Sequence, residues 1–415
     1  MFQIDQTKAS KKNAEKDAPA KCAACGKYTH QILDEKQEST STNRLLKRCT
    51  ACYSVRYCGV ACQKSHRKSH KKDCKETAKK RRDFNAALSE IKLGDEVSPP
   101  PPPLDCDLCM YRMPPSTKGS KYFGCCGKIV CRACFVRSMP GDPFSKFKDF
   151  FGDGGAPEFF SKQFGASFVN DDFLSPYLGT FGGADGPFSA KKREQSGCPF
   201  CRSTVDIMVH TKEQQRKREE CLLSRANNNL DSRAFLELAR TSLEGRSLSA
   251  YEKLGCDDDD MLLMKGQPIP DPVTAARYFG KSADLGNADA YYELSKLHRE
   301  CYDASGFLFF LVKAANLGNF DARDELASLA MEKKQTEVAM EHYKLLAAAG
   351  FSKDSTDMLT VGYKEGYITK EELASSLRAY QSARKELMSE ERVQLDRMAS
   401  NVSSNGERLS SGMYL

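Results

Sequence analysis

Residues 57–74 read YCGVACQKSHRKSHKKDC, and the placing of cysteine and histidine in this stretch decides how the first half of the chain folds. Cys62, His66, His70 and Cys74 stand four apart, the interval of one helix face. Working outward, Cys58 begins the stretch, Cys49-x2-Cys52 precedes it, and Cys22-x2-Cys25 precedes that. A two-residue spacing lets both thiolates of a pair reach one ion from a tight turn, and zinc takes four soft or borderline donors around a tetrahedral centre. Cys22, Cys25, Cys49, Cys52, Cys58, Cys62, Cys74 and one histidine make eight donors, enough for two ions. Spacing alone leaves His66 and His70 both open as the eighth.

Together with CAACGK at 22–27, this stretch resembles a MYND zinc finger. The resemblance implies a cross-brace, with Cys22, Cys25, Cys58 and Cys62 on one zinc and Cys49, Cys52, His70 and Cys74 on the other. It also implies a protein-binding module of a kind that often takes proline-rich peptides. In that family's groove a glutamine follows the sixth cysteine, and Gln63 fits. Arg67 stands where a tryptophan is expected, and the chain has no Trp, so the aromatic platform for proline packing is missing.

A second constellation follows, with Cys106-x2-Cys109, the adjacent Cys125 and Cys126, Cys131-x2-Cys134 and Cys198-x2-Cys201. In context these read CDLCM, GCCGKIVCRAC and CPFCR, which resembles a RING finger of the all-cysteine kind. The resemblance implies one zinc on Cys106, Cys109, Cys131 and Cys134 and another on Cys125, Cys126, Cys198 and Cys201. Lys128 occupies the place of a common RING histidine, and adjacent cysteines chelate one ion only with backbone strain. The 63 residues between Cys134 and Cys198 are a long insertion. Lengthening a loop from about 13 to 63 residues adds only about 1.4 kcal/mol of closure entropy. A structural zinc supplies on the order of 10 kcal/mol, so the site survives the insertion. An active RING holds a ubiquitin-charged conjugating enzyme on a shallow apolar patch and has no catalytic side chain of its own. The residues that match its docking positions are Leu108, Pro199 and the linchpin Arg202.

From about Thr211 the composition turns to Ala, Leu, Glu and Lys with helical spacing. ADLGNADAYYEL at 283–294 recurs as ANLGNFDARDEL at 315–326, and a weaker AAAG starts at Ala347. Gly286, Gly318 and Gly350 are therefore 32 residues apart, the length of a helix-turn-helix repeat, with each glycine ending one helix in a left-handed cap. This resembles the Sel-one-like repeats, relatives of the tetratricopeptide repeats. The expected fold class is multidomain: two small cross-brace zinc modules, then an all-α helical-repeat solenoid.

The remaining segments fill in the order. Residues 1–20 read as a disordered basic arm, 21–74 as the MYND-type finger, and 75–104 as a helix ending at Gly94 plus a linker. Pro99 to Pro103 in that linker form a stiff extended spacer. The RING-like finger covers 105–203, with a flexible Phe/Gly/Ser/Asp-rich insertion at 136–196. The repeats cover 211–380 with an insertion near 245–270, and 381–415 is a helical end with a disordered tail.

A length of 415 residues calls for several folded units, and no apolar run reaches the length of a membrane span. The opening MFQIDQTKASKKNAEKD lacks a hydrophobic signal core, so the chain is expected in the cytosol or nucleus and not secreted. In a reducing compartment clustered cysteines are metal ligands, not disulfides, and about four zinc ions per chain are expected. Cys221, Cys256 and Cys301 stand singly and read as ordinary thiols. Net charge is +7, with residues 1–82 holding 21 Lys/Arg against 8 Asp/Glu. The basic run Lys79 to Arg82 lacks interleaved aromatics, which ranks nucleic acid below proteins as partner. Conventional hydrolytic or redox catalysis finds no residues free for it, and GYITKEEL lacks the carboxylates of a calcium loop.

Two functional readings follow. One is a RING-type ubiquitin ligase or ligase adaptor that recruits partners through its MYND finger and repeats. The other is a non-catalytic, zinc-stapled interaction scaffold. Modularity also predicts that stripping zinc unfolds residues 22–202 and leaves the helical second half intact.

Overall fold

The computed structural model describes residues 22–25, 46–94, 97–115, 119–138, 198–203, 212–249, 270–389 and 392–393, and every structural statement below is made of these. The expected arm at 1–20, most of the insertion at 136–196, most of that near 245–270 and the tail beyond 393 lie outside them.

The first unit pairs β1 (Lys47–Arg48) with β2 (Arg56–Tyr57), antiparallel, with Lys47 opposite Tyr57. It runs directly into α1 (Val60–Glu90). One unbroken helix thus carries Cys62, His70 and Cys74 in its first half and the apolar face of Phe84 and Leu88 in its second. The second unit pairs β3 (Ser120–Phe123) with β4 (Lys128–Cys131), with Ser120 opposite Cys131, and adds the short α2 (Arg132–Arg137). Met113, Phe123, Val130 and Ala133 are buried among its cysteines, and the Phe123 ring lies 6.0 Å from those of Phe135 and Phe200.

The helical half comprises α3 (Lys212–Asn228), α4 (Ser232–Leu243), α5 (Pro272–Asp284), α6 (Ala288–Glu300), α7 (Ala304–Asn316), α8 (Phe320–Glu332), α9 (Thr336–Ala348), α10 (Lys353–Lys364) and α11 (Lys370–Leu387). Each helix packs against its neighbours in the chain. Buried alanines such as Ala275, Ala290, Ala314, Ala322 and Ala339 allow the close approach. Gly286, Gly318 and Gly350 end α5, α7 and α9 at φ of +82°, +95° and +70°, where only glycine is unstrained. The Gly286 N–H bonds the Ala283 carbonyl and the Asn287 N–H bonds that of Ser282, and the Gly318–Asn319 pair repeats this on Ala315 and Ala314. Asn287 and Asn319 then cap α6 and α8 with their side chains, and the Asn319 amide also donates to Asp289 of α6 at 2.9 Å. No described helix is long and apolar enough to cross a membrane.

Both zinc-type units are seated on the helical half. Phe84 stands between Phe307 at 6.0 Å and Tyr302 at 6.3 Å, and Leu88, Ile91, Leu93 and Val97 continue the same contact. The segment expected to be a stiff spacer between domains lies, where described, against the helices. The prolines leave it extended, but Leu93 and Val97 carry enough apolar surface to hold it down. The β3–β4 hairpin docks separately. The Tyr122 hydroxyl donates to Asp231 at 2.7 Å, Arg225 donates to both, and Leu222, Ala226, Phe235 and Leu238 close over the ring.

Candidate metal centres

Three of the Cys-x-x-Cys pairs are built the same way. Tyr53, Met110 and Arg202, each the residue after the second cysteine, adopt φ of +58°, +59° and +61°. Each donates its N–H to the carbonyl of the first cysteine, Cys49, Cys106 or Cys198, at 2.8 to 2.9 Å. The tight turn aims both sulfurs to one side. None of these positions is a glycine, so the left-handed backbone gave no sequence signal.

The turns and α1 together assemble four groups. Cys22, Cys25, Cys58 and Cys62 form one, and Cys49, Cys52, His70 and Cys74 form the second. Cys106, Cys109, Cys131 and Cys134 form the third, and Cys125, Cys126, Cys198 and Cys201 the fourth. Within each group the donor atoms lie within 4.8 Å of one another. Sulfurs on a tetrahedral zinc at about 2.3 Å stand about 3.8 Å apart. The distances Cys25–Cys58, Cys49–Cys74 and Cys126–Cys198 are each 3.7 Å, and Cys109–Cys131 is 4.0 Å. These separations are far longer than a disulfide bond. Donor type and geometry thus both fit zinc, and about four ions per chain.

The two histidines part company. Nε2 of His70, buried, lies 3.2 Å from Cys52 Sγ, inside the second group. His66, one turn earlier, stacks on the His70 ring at 5.5 Å and meets the Tyr57 hydroxyl at 3.1 Å through Nδ1. It braces the ring of His70 and stays outside the group. Adjacent Cys125 and Cys126 both enter the fourth group, and it is the next residue, Gly127 at φ +76°, that takes the left-handed turn.

Electrostatics make the same point. Burial opposes ionisation of Cys22, but the N–H groups of Cys25, Cys58 and Ala24 outweigh it and hold the thiol at about 6. Cys49 is likewise held at about 6, against burial, by Cys52, Ala51 and His70. Cys58 and Cys74 are pushed up to about 12, Cys58 first by its bond with Cys62 and Cys74 first by burial. In the third group, hydrogen bonds from Cys131 and Cys134 hold Cys106 low, while Cys134 is driven up. Four thiolates this close repel one another, and a divalent cation is what lets all of them ionise.

Surrounding groups orient the sulfurs. The Cys131 N–H donates to Cys106 Sγ at 3.2 Å. Lys128, at the RING histidine position, pairs instead with Asp107 at 3.2 Å, and Asp107 also accepts the Ile129 N–H at 2.7 Å. Arg392, buried, reaches in from the far end of the chain and donates to Cys109 Sγ at 3.8 Å and to the Arg112 carbonyl at 2.6 Å. Sequence reading missed Arg392, because a contact across some 280 residues leaves no spacing pattern.

Of the docking candidates, Leu108, Pro199 and Arg202 are all exposed. Leu108 belongs to an apolar set with Leu104, Met110 and Tyr111, of which Met110 is 71% exposed. Gln63 is half-buried on α1. In the basic run, Lys80 pairs with Glu76 and Arg81 lies over the Tyr53 ring at 4.1 Å, so part of that charge serves the finger itself.

The family model for the MYND finger matches residues 22–74. Residues 22–74 are a MYND finger. The match ends at Cys74, halfway along α1. No curated protein and no solved structure matches the chain. The MYND finger makes this a zinc-binding protein with a module for protein–protein interaction.

Proposed function

We propose that this protein is a zinc-stapled platform for assembling other proteins, and that its second zinc module is a RING-like docking site for a ubiquitin-conjugating enzyme. One observation carries this reading: Leu108, Pro199 and Arg202 stay exposed beside the third and fourth cysteine groups, while Met113, Phe123 and Val130 of the same unit are buried. An exposed apolar set on so small a unit fits a partner's surface. The sixteen residues of the four groups serve as ligands of about four zinc ions, and the helices from α4 onward form a Sel-one-like solenoid that selects partners. The 32-residue recurrence of left-handed glycine with a following asparagine cap supports that solenoid.

A second reading, a scaffold that recruits no conjugating enzyme, is favoured by the grip of Arg392 and Glu386 on Tyr111, Arg112 and Cys109, which places α11 close to the docking loop. The decisive experiment is self-ubiquitination with a panel of conjugating enzymes, after zinc is counted at about four per chain. Ubiquitin chains lost in Arg202→Ala and in Leu108→Ala establish a ligase. No activity from the folded, zinc-loaded protein leaves the scaffold.

A further inference from the structure

The described residues 91–94 and 97–104 meet the helical half in an order that follows α8 from its C-terminal end to its N-terminal end. At the α8–α9 turn, the Lys333 ammonium donates to the Ile91 carbonyl at 2.6 Å and also to that of Leu88. Gln335 then clamps both backbone groups of Leu93, accepting its N–H at 3.2 Å and donating to its carbonyl at 3.1 Å. Near the start of α8, Arg323 donates to the Ser98 carbonyl at 2.8 Å. At the α7–α8 turn, Pro101 lies where a side chain on Gly318 would stand. Eight residues of polyproline-like chain span about 25 Å, enough to run the length of a thirteen-residue helix of about 20 Å.

This is the grammar of peptide recognition. The polar contacts read backbone groups and not side chains. Of the described residues 91–104 only Leu93 is buried, the others being half-buried or exposed. A segment held in that way can be replaced by another chain of similar shape.

Arg323 indicates what that other chain would bring. Its side chain is completely buried, yet only Nη2 is satisfied, by the Ser98 and Ala315 carbonyls, and Nε and Nη1 have no partner. Nδ1 of His342, buried within the field of the same guanidinium, is unpartnered as well. A buried guanidinium with no counter-ion is costly, and the neutral Ser98 carbonyl answers it only in part. An anion would answer it fully.

We propose that the face of α8 and its flanking turns that holds residues 91–94 and 97–103 is a peptide-binding site occupied in cis, and that its trans ligand is an extended proline-containing segment of another protein with a carboxylate where Ser98 stands. Binding in trans displaces the strap from Lys333, Gln335 and Arg323, while Phe84 keeps the second half of α1 on the helices. The inference is independent of whether the second zinc module recruits a conjugating enzyme.

The test uses the full-length, zinc-loaded chain and two fluorescent peptides, one reproducing residues 91–104 and one carrying the Ser98→Asp change. In one protein variant residues 92–103 become Gly/Ser of equal length, and in a second, milder variant Leu93→Gly is combined with Val97→Gly. Both are expected to bind the peptides at least tenfold more tightly than wild type, and the Asp peptide about tenfold more tightly than the native one, as a charge-assisted bond to a buried guanidinium provides. Adding Arg323→Leu removes the preference for the Asp peptide. Equal binding by wild type and the double variant overturns the proposal, as does no binding by variants whose helical circular dichroism is native. If the Gly/Ser chain fails to fold, the double variant decides, and its failure to fold as well makes the strap a permanent part of the core and overturns the proposal.

Discussion

Phe84→Ala tests whether the MYND finger is fused to the helical half or merely tethered to it. Phe84 is 8% exposed and lies on the second half of α1, beyond the last zinc-type residue Cys74. Its ring makes an edge-on contact with Tyr302 and a tilted one with Phe307. Removing a buried phenylalanine costs about 3–5 kcal/mol, and the lower end suits a junction between elements that can partly close up. In a unit of 150–250 residues each kcal/mol moves Tm by about 2–4 °C, so a loss of about 3 kcal/mol lowers it by about 6–12 °C. The assay is thermal unfolding by far-ultraviolet circular dichroism, with zinc content counted by native mass spectrometry to show that the metal sites are unharmed. Leu104→Ala, at an exposed position, is the control and is expected to change Tm by no more than noise. A shift below about 2 °C for Phe84→Ala, with zinc retained, refutes the fused arrangement and restores the stiff spacer between separate units that the proline run suggests.

Other outcomes follow from the same geometry. Chelating zinc is expected to lower the melting temperature of the helical half and not leave it untouched, because α1 carries Phe84 and Leu88 and leads into the strap; an unchanged helical melt after chelation counts against this. His70→Ala is expected to cost one zinc per chain by mass spectrometry, whereas His66→Ala keeps all of them and loses about 1 kcal/mol for the Tyr57 bond, and the reverse pattern exchanges their roles. Cys125→Ser and Cys126→Ser are each expected to empty the fourth group alone, and retention of zinc in either shows that neighbouring cysteine to be a bystander. The Asp231 carboxyl is held below its usual range: burial raises it, but Tyr122, Arg225 and the N–H groups at the start of α4 lower it further. Its contribution is therefore full above the unfolded value of about 3.9 and is lost as pH falls through the depressed folded value. The Tm gap between wild type and Asp231→Asn should be wide at about pH 7 and close towards pH 3; a gap that does not narrow assigns the effect to something other than this charge.

What could be read from the sequence, and what could not, divides along distance in the chain. The MYND finger was legible because its donors lie within a few residues of one another, so that turn and helix periodicities reveal them. Gly286, Gly318 and Gly350 were legible for the same reason, a left-handed cap being a local event. The second zinc unit stood on a resemblance, since nothing local ties Cys125 and Cys126 to Cys198 and Cys201 across the long insertion. Seating of the units was hidden altogether. Tyr122 with Asp231, Phe84 with Phe307, Lys333 with Ile91 and Arg392 with Cys109 join residues from about 100 to about 280 positions apart, and each partner reads alone as an ordinary surface polar or core residue.

The five-proline run shows how this misleads. Its composition dictates a backbone outside helix and sheet, as residues 97–104 are; composition says nothing of what such a backbone rests on. The contact is made by Arg323, Lys333 and Gln335, three polar side chains on one helix and the turn after it, which donate to or clamp backbone atoms. Any strap sequence supplies backbone atoms, so beyond the apolar Leu93 and Val97 the strap's own residues carry little record of the site that holds them. The record lies on the other side, in a buried arginine with two unpaired nitrogens. The Ser98 carbonyl offsets that cost only in part, and a carboxylate delivered along the same path would remove the rest.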